Sequence, residues 1–407
     1  MRRLLLTALL LLLLATPARA EETIQGPTGG QMILGKEQGF GFGTLAPDPT
    51  ALYGASRVPV VLPGNSSLST ISVPAYFSVK PAPNQRFLLE AEGDYTQFGL
   101  DMSYAVQPKT WVGVLTANAY LWRARILAFE EGRNYVGLLS PLGAHPWLYQ
   151  AGGGLEYTVP VNPRLRLSSA LNYRQFTVHH GAFTGQVTGQ VPPFDQFLDP
   201  LTVDPDGTDE ILSARLVGLF NTLDSLQFPT RGTKLRFGAE QTIPVGSARI
   251  SSTRLQANVT QFIPLGKEQG PTLIFNLQGG GMWGDVPPYD AYSLGGVNSV
   301  RGWSAGALGT GQSFLESTLE YRFPISKGRM FGADLEYRGA LFVDYANDFN
   351  SQGTVLGRPG LVRRKPGDGS GFGLGFHVVG PVGLIRLEGA VNNLGDTSVY
   401  FTIGDRY

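Results

Sequence analysis

The sequence predicts an all-β fold, a transmembrane antiparallel β-barrel of about 16 strands, on the basis of three observations. Glycine accounts for 54 of 407 residues, nearly twice its usual share of about 7%. Charged residues make up only 16% of the chain, against about 25% in soluble proteins. Apolar and polar residues alternate along many segments while the mean hydropathy stays near zero, as the two faces of membrane strands require.

The composition argues against several other classes of protein. Beyond the N-terminal region the chain has no apolar run of about 18 residues, so membrane-spanning helices are not predicted. The formal net charge is +0, and we expect no nucleic-acid partner. The sequence contains no cysteine, which excludes a lipoprotein anchor and a disulfide framework.

Residues 1–20 have the features of a cleaved secretory signal peptide. Arg2 and Arg3 precede an apolar run from Leu4 to Leu14, and Ala18 to Ala20 fits the small-residue cleavage pattern. The run is too short to span a bilayer as a helix. We therefore expect an exported protein whose mature chain begins at Glu21. Residues 21–35 are then a short periplasmic segment, and residues 36–407 form the barrel.

The alternation is clearest between Phe314 and Ile325. Apolar residues share one parity and polar residues share the other, so the two sets lie on opposite faces of a strand. Turn signals divide the rest of the chain into segments of the length that a tilted membrane strand needs. The predicted strands are 36–46, 67–80, 86–95, 98–107, 110–126, 148–160, 164–179, 210–223, 232–243, 248–263, 272–284, 312–325, 335–348, 370–380, 382–393 and 397–407.

The connections alternate between short turns and long loops. Outer-membrane barrels have short periplasmic turns and longer extracellular loops, so this pattern places both termini in the periplasm of a bacterial-type outer membrane, in contact with outer-membrane lipids. The final predicted strand alternates and carries Phe401 and Tyr407. It resembles the C-terminal signal by which barrel-assembly machinery recognises its clients, so we expect that machinery as a partner during biogenesis.

The most specific stretch is Leu-Gly-Gly-Val-Asn-Ser-Val-Arg-Gly-Trp at 294–303, between the eleventh and twelfth predicted strands. It resembles the loop signature of the BamA/TamA superfamily of outer-membrane insertases and translocases, also called the bacterial surface antigen family. The signature there reads Val-Arg-Gly followed by Phe or Tyr, and Trp303 takes the aromatic place here. The segments 221–232, 317–325, 341–346 and 371–387 are similar to further family stretches in the same order, so the resemblance covers 210–407.

The resemblance implies that the signature loop is locked inside the lumen, and the charges support this independently. Parity places Glu320 and Asp344 on the lumen faces of adjacent strands, where a carboxylate needs water or a cation. Arg301 offers them a planar five-donor guanidinium if the loop folds back. Gly302 then allows close backbone approach, while Trp303, next to Val300 and Arg301, packs against lumen residues. The alternative is that Arg301 is an exposed loop arginine.

Glycines at Gly39, Gly41 and Gly43 in the first predicted strand, and Gly404 in the last, weaken strand pairing. The resemblance implies that these strands meet at a lateral seam, where the barrel opens towards lipid. The alternative is that these glycines only suit a curved wall.

No chemistry of an enzyme is predicted. Gly302 to Gly306 matches Gly-x-Ser-x-Gly formally, but the nucleophile elbow requires a strand-to-helix turn and a positioned base. The four histidines are scattered, so we expect no metal and no cofactor.

Two functions remain open. The resemblance implies a barrel-only member without POTRA domains that inserts or translocates protein or lipid at the outer membrane, with a periplasmic POTRA-containing partner in trans. The alternative is a passive pore or structural barrel, which the charged lumen set Arg166, Arg174, Arg254, Glu316 and Arg322 would suit. An outer-membrane lipid-modifying enzyme is a third and more distant alternative.

Overall fold

The computed structural model describes most of the chain after residue 74. The described residues are 39–42, 75–79, 81–82, 84–93, 97–130, 132, 147–179, 201–225, 228–266, 270–330, 333–380, 383–403 and 405–407. The predicted signal peptide and the predicted segment 21–35 lie outside them.

Sixteen antiparallel strands form one sheet in which each strand pairs with its neighbours in chain order. A separate two-stranded ribbon, β12–β13, is inserted between β11 and β14. The strands are β1 Gly39–Phe42, β2 Ala75–Val79, β3 Gln85–Gly93, β4 Gln97–Val106, β5 Val114–Arg125, β6 Trp147–Asn162, β7 Leu165–His179, β8 Thr208–Asn221, β9 Gly232–Ile243, β10 Ser252–Pro264, β11 Thr272–Gly284, β12 Tyr292–Leu294, β13 Gly309–Gly311, β14 Ser313–Met330, β15 Ala333–Asn347, β16 Asp368–Gly380, β17 Gly383–Asn392 and β18 Thr397–Ile403.

The prediction of an antiparallel barrel of about 16 strands is confirmed. Several boundaries differ by a few residues, and two of these differences bear on the lumen site. The twelfth strand of the sheet, β14, continues to Met330 beyond the predicted end at 325, with a register shift between Pro324 and Ser326 that accommodates the proline. The last strand, β18, ends at Ile403 rather than at 407.

The early end of β18 has an electrostatic reason. Val399 lies on the outer face, and two-residue periodicity would place Asp405 on that same face if the strand continued. A carboxylate on an apolar outer face is costly because it would be desolvated without a partner. Asp405 is instead bound by Arg322 inside the barrel, so the prediction of a final strand reaching 407 was wrong in its last residues.

The two faces of the sheet differ as the alternation predicts. On β14, Leu319 is 49% exposed on the outer face, whereas Glu316 and Glu320 are 0% exposed on the inner face. The inner face encloses a lumen, into which loops and the residues after β18 fold.

Antiparallel order separates the connections into two ends, which we name by their loops. The long-loop end carries 285–312 and 348–367, and the short-turn end carries turns such as 222–231. No hydrogen-bonded pairing between β1 and β18 occurs among the described residues, so these two strands are the ends of the sheet. Within the described ranges, no helix has the length and apolar character needed to cross a membrane.

Among the described residues, three segments cover the long-loop end. They are a 3-10 turn Leu127–Phe129, the ribbon β12–β13, and a short helix Pro359–Val362 with the residues after it. Lys365 joins them, since its Nζ donates to the carbonyl oxygens of Leu127 and Ala128 and to Oγ1 of Thr310, at 2.7 to 3.0 Å. We call this group the cap.

Candidate functional site in the barrel lumen

The segment 285–312, which we call the inner loop, leaves the sheet after β11 and returns to it at β14. The ribbon β12–β13 forms its stem, and residues 295–308 form the turn beyond the stem. Gly295 and Gly296 have φ of 108° and 102°, backbone conformations that favour glycine and let the chain reverse there. The paired strands of the ribbon therefore end at Leu294, and a tight turn follows that carries the sequence signature.

Arg301 lies at the tip of the inner loop and is 0% exposed. Its Nε and Nη2 bind the two carboxylate oxygens of Asp344 on β15, at 2.7 and 2.9 Å. Its Nη1 reaches Glu320 on β14 at 3.0 Å and Glu388 on β17 at 3.1 Å. Its Cζ lies 3.3 Å from the ring centroid of Phe342. One guanidinium thus joins three strands through charge-assisted bonds and an aromatic face.

Further arginines balance the buried carboxylates around Arg301. Arg322 binds Glu320 at 2.7 Å, Arg386 lies 3.4 Å from Glu388, and Arg406 lies 3.2 Å from Glu316 and 3.3 Å from Asp344. Burying one charge without a partner is costly, so near-balance is what allows such a group to exist. We call it the tip cluster: Arg301, Arg322, Arg386, Arg406, Glu316, Glu320, Asp344, Glu388 and Asp405.

Glycine is required at two places where the tip meets the wall. Gly302 has a φ of 97°, and an added Cβ would lie 2.7 Å from the backbone nitrogen of Asn392. A Cβ on Gly371 would lie 1.8 Å from the carbonyl oxygen of Arg301. The tip therefore presses its backbone directly against β16 and β17. Tyr400 on β18 completes the contact, because its hydroxyl accepts from the Gly302 N–H at 2.9 Å and donates to the Trp303 carbonyl at 3.2 Å.

Val300 and Trp303 fix the tip by apolar packing. Both are buried in a cluster that includes Tyr292, Leu308 and Phe314. The indole Nε1 of Trp303 donates to a carbonyl of β16 at 3.2 Å. Burial of these two apolar side chains stabilises the position of the tip through the hydrophobic effect, in addition to the ion pairs of Arg301.

A second set of contacts holds the inner loop near its start. Asp290 binds Arg254 on β10 at 2.9 Å and lies 3.6 Å from Arg174 on β7. The adjacent Tyr289 donates its hydroxyl to Asp209 at 2.5 Å and stacks on Phe176 with centroids 4.4 Å apart. Glu240 joins the group by binding two arginines. We call this the base cluster: Asp290, Arg174, Arg215, Glu240 and Arg254.

The residues after β18 fold into the lumen rather than extending the sheet. Arg322 binds Asp405 through two bonds of 2.9 Å. Arg406 contacts Asp344 and also donates to the carbonyl oxygen of Ser299 in the inner loop. The hydroxyl of Tyr407 donates to Glu320 at 3.0 Å. This segment therefore shares carboxylates with Arg301.

The structure brings Val300, Arg301, Gly302, Trp303, Glu320 and Asp344 together at one place. Of the proposed seam residues, Gly39 and Gly41 lie in β1, while Gly43 and Gly404 fall outside the described residues. Phe401 lies in β18, whereas Tyr407 lies beyond that strand in the lumen. The assembly-signal role of these two aromatic residues stays a prediction.

Sequence reasoning missed several residues of the tip and base clusters, among them Glu388, Arg406 and Asp290. Glu388 was detectable, because it lies in a predicted strand with the parity of the lumen face. Arg406 was not detectable, because it was assigned to a predicted final strand, whereas the chain turns into the lumen after Ile403. Asp290 precedes the signature in a long loop and belongs to no motif that pairs it with Arg254 and Arg174.

These features define a class of protein: a membrane β-barrel whose Val-Arg-Gly loop is fixed inside its lumen. The Omp85 superfamily domain matches residues 144–407, and the chain belongs to that superfamily. Its members are insertases and translocation channels rather than enzymes, so the prediction of a non-enzymatic protein is confirmed.

Two plant proteins are among the relatives in sequence. Outer envelope protein 80, chloroplastic, of Arabidopsis thaliana is 32% identical over 253 residues, which is 62% of this chain and 32% of that protein. Protein TOC75, chloroplastic, of Pisum sativum is 35% identical over 184 residues, which is 43% of this chain and 21% of that protein. The chain thus spans a third or less of the length of these relatives.

Solved structures show the same fold. BamA from Haemophilus ducreyi lacking POTRA domains 1–3 superposes with a TM-score of 0.60 and 16% identity, covering 83% of this chain and 68% of that one. The chain is therefore an Omp85 membrane protein that is similar in sequence to TOC75 and in fold to BamA.

Proposed function

We propose that this barrel inserts or translocates protein or lipid at a bacterial-type outer membrane. The observation that carries the proposal is the inner loop, whose Arg301 binds carboxylates of β14, β15 and β17 in the Omp85 part of the chain. A loop held this way braces the wall next to the last strands. The locking role of Arg301 is part of the proposal.

The two ends of the sheet supply the proposed route. β1 has four residues, among them Gly39 and Gly41, and pairs only with β2 among the described residues. β18 has seven residues and pairs with β17. Short, glycine-containing strands pair weakly, so a seam between β1 and β18 would open at low cost. In the proposed orientation the short-turn end faces the periplasm, and both termini lie there.

Client recruitment in this proposal requires a partner. We propose a periplasmic protein with POTRA-type domains that acts in trans, together with barrel-assembly machinery during biogenesis of the chain itself. A pull-down from outer-membrane extracts with the tagged full chain tests this. Recovery of such a protein supports the proposal. Repeated recovery of the tagged chain with lipids but without a protein of this kind contradicts it.

Reconstitution tests the insertase function directly. Liposomes containing the full chain are mixed with a small outer-membrane barrel denatured in urea, and its folding is followed by resistance to protease. We expect faster folding than in empty liposomes, and a slower rate when cysteines in β1 and β18 are cross-linked. The chain has no native cysteine, so the cross-link is unambiguous. Equal rates in all three samples would contradict insertase activity.

A passive pore is the second candidate, favoured by the polar lumen. Its test is the conductance of the full chain in planar bilayers with Arg301→Ala, which should change if the inner loop occupies the conducting path. Arg329→Ala is the control, because that side chain is 72% exposed at the short-turn end. If the full chain conducts ions steadily in planar bilayers but does not speed folding of the denatured barrel in liposomes, the pore is favoured over the insertase.

A further inference from the structure

Two neighbouring turns at the short-turn end carry exposed cations. The turn between β4 and β5, residues 107–113, contains Lys109, and the turn between β6 and β7, residues 163–164, contains Arg164. β5 and β6 are adjacent in the sheet, and a Cβ added to Gly113 would lie 2.5 Å from the carbonyl oxygen of Thr158 on β6. The two turns therefore lie side by side on the same stretch of wall.

The surroundings of these two cations lack negative charge. Residues 106–113 and 159–166 contain no aspartate or glutamate. Within the described ranges, neither Lys109 nor Arg164 has a side-chain hydrogen bond or an ion pair. Glu156 of β6 is buried on the lumen face, where it accepts hydrogen bonds from Thr158 at 3.1 Å and Ser168 at 2.5 Å. The two turns therefore form a positive surface without a partner of opposite charge in the chain.

Aromatic rings lie on the outer face of the wall next to this positive surface. Leu155 is 56% exposed on the outer face of β6, and Tyr157, two residues further, shares that face. The ring of Trp111 meets the ring of Tyr157 edge-on, with centroids 5.5 Å apart, and is itself 46% exposed. Tryptophan and tyrosine concentrate at the level of lipid headgroups. These two rings therefore mark the membrane boundary here, and the two cations lie at headgroup level.

Both turns are held in a fixed shape by backbone contacts. The N–H of Trp111 donates to the carbonyl oxygen of Pro108 at 2.9 Å. Oδ1 of Asn162 accepts from the backbone N–H groups of Arg164 and Leu165, each at 2.9 Å. Ordered turns fix the starting points of the two long cationic side chains, so less conformational entropy is lost when they bind a shared ligand.

We propose that Lys109, Trp111, Tyr157, Val161 and Arg164, together the rim surface, bind an anionic phospholipid of the leaflet that the short-turn end meets. The lipid phosphate lies between the ammonium and guanidinium groups, which form charge-assisted bonds with its oxygens. An acyl chain packs on the two rings and on Val161, which is exposed. A zwitterionic lipid matches the apolar part equally well, but its own ammonium group offsets the attraction. This binding depends only on the membrane-spanning fold and is independent of insertase or pore activity.

Fluorescence quenching by labelled lipids tests the rim surface. The chain has no native cysteine, so Val159→Cys, one step along the face of Tyr157, takes a single bimane label. The labelled full chain is placed in phosphatidylcholine nanodiscs that contain phosphatidylglycerol or phosphatidylcholine with a nitroxide near the headgroup, at equal mole fractions. We expect a relative association constant of at least about fivefold in favour of phosphatidylglycerol, because one cation near a lipid surface contributes about that factor.

Matched variants separate these two cations from the general charge of the end. Lys109→Gln/Arg164→Gln should bring the relative association constant to about one, since the attraction to the phosphate is lost. The swap Lys109→Arg/Arg164→Lys should retain the preference. The control Arg231→Gln/Arg329→Gln removes two exposed cations from other turns of the same end and should leave it unchanged.

Two further measurements keep the test valid if the glutamine variant fails to fold. With both cations intact, an ionic strength of about 1 M should abolish the preference, because the screening length is then about 3 Å. A bimane on Phe372→Cys, exposed on the outer face of β16, should show no preference for either lipid. A preference that persists in the glutamine variant, or an equal one at the Phe372 label, would overturn the proposal. Equal quenching by the two lipids at Val159 would also overturn it and would favour an acidic protein segment as the ligand of these cations.

Discussion

The inner loop is held at two places by charges of opposite sense. At the tip cluster the loop supplies the cation, Arg301, to carboxylates on β14, β15 and β17. At the base cluster it supplies the anion, Asp290, to arginines on β7 and β10. The loop therefore joins two parts of the barrel wall whose charges would be only partly compensated without it.

The clusters also differ in how completely their groups are paired. Arg301 uses Nε, Nη1, Nη2 and its backbone N–H, and its flat face lies on Phe342. In the base cluster, Nε of Arg174 is buried without a hydrogen-bond partner among the described residues. A fully satisfied polar network is more stabilising than a partly satisfied one. We therefore expect the tip to be the stronger attachment.

Arg301→Ala should have the largest effect. It leaves Asp344, Glu320 and Glu388 partly uncompensated in a buried site, where removing one partner costs about 3–5 kcal/mol. Guanidinium-induced unfolding of the purified chain in detergent measures the change in the free energy of unfolding. Arg329→Ala is the matched control, with about 0–1 kcal/mol expected for an exposed pair. Equal losses in the free energy of unfolding for the two variants would contradict a stabilising role of Arg301 at the tip.

Asp290→Asn should have a smaller effect, about 2 kcal/mol, because the base cluster retains Glu240 for two of its arginines. In the double variant with Arg301→Ala, the second change should cost less than it does alone, since both hold the same loop. A double-mutant cycle in the same unfolding assay measures this coupling. Strict additivity would mean that tip and base act independently.

Tyr400→Phe should destabilise the tip by about 1–2 kcal/mol, because it removes one bond with the Gly302 N–H and one with the Trp303 carbonyl. The change isolates the neutral contacts of the tip from its ion pairs. Limited proteolysis within 295–308 reports the loosening. Tyr345→Phe, whose ring is 39% exposed on the outer face, is the control and should leave cleavage unchanged.

Lys365 in the cap should give the smallest effect and one that depends on pH. Burial lowers the pKa of Lys365 to about 7 from its ordinary value of 10.5. Between these values the unfolded cap binds more protons than the folded cap, so its stability rises with pH. From pH 6 to pH 8 we expect a gain of about 1 kcal/mol, read as slower protease cleavage of 348–367. Lys365→Met should lose this dependence, and an unchanged slope would contradict the assignment.

The tip was visible in the sequence because its parts have local signatures. Val300 to Trp303 form a contiguous motif, and two-residue periodicity alone places Glu320 and Asp344 on the lumen face. The base was not visible, since Asp290 pairs with Arg254 and Arg174 only through the path of a long loop. That path depends on packing of Tyr289 against Phe176, which no local pattern encodes.

The end of the chain shows the same limit from another direction. Alternation through Val399 and Phe401 predicts a strand that continues, and the cost of an outward-facing Asp405 opposes it. In the structure the strand ends at Ile403, and Asp405 binds Arg322 in the lumen. The alternation of five or six residues indicates the strand here, and the cost of one carboxylate on the outer face accounts for its early end.

The close fit of the tip against β16 and β17 bears on the order in which the barrel forms. Gly371 and Gly302 leave no room for a side chain between the loop backbone and the wall. Such a contact cannot be threaded into a finished wall without moving whole strands. We therefore expect the inner loop to settle before or while β16 to β18 add to the sheet, so that the last strands form against it. Folding followed in time should show burial of Trp303 no later than pairing of β17 with β18.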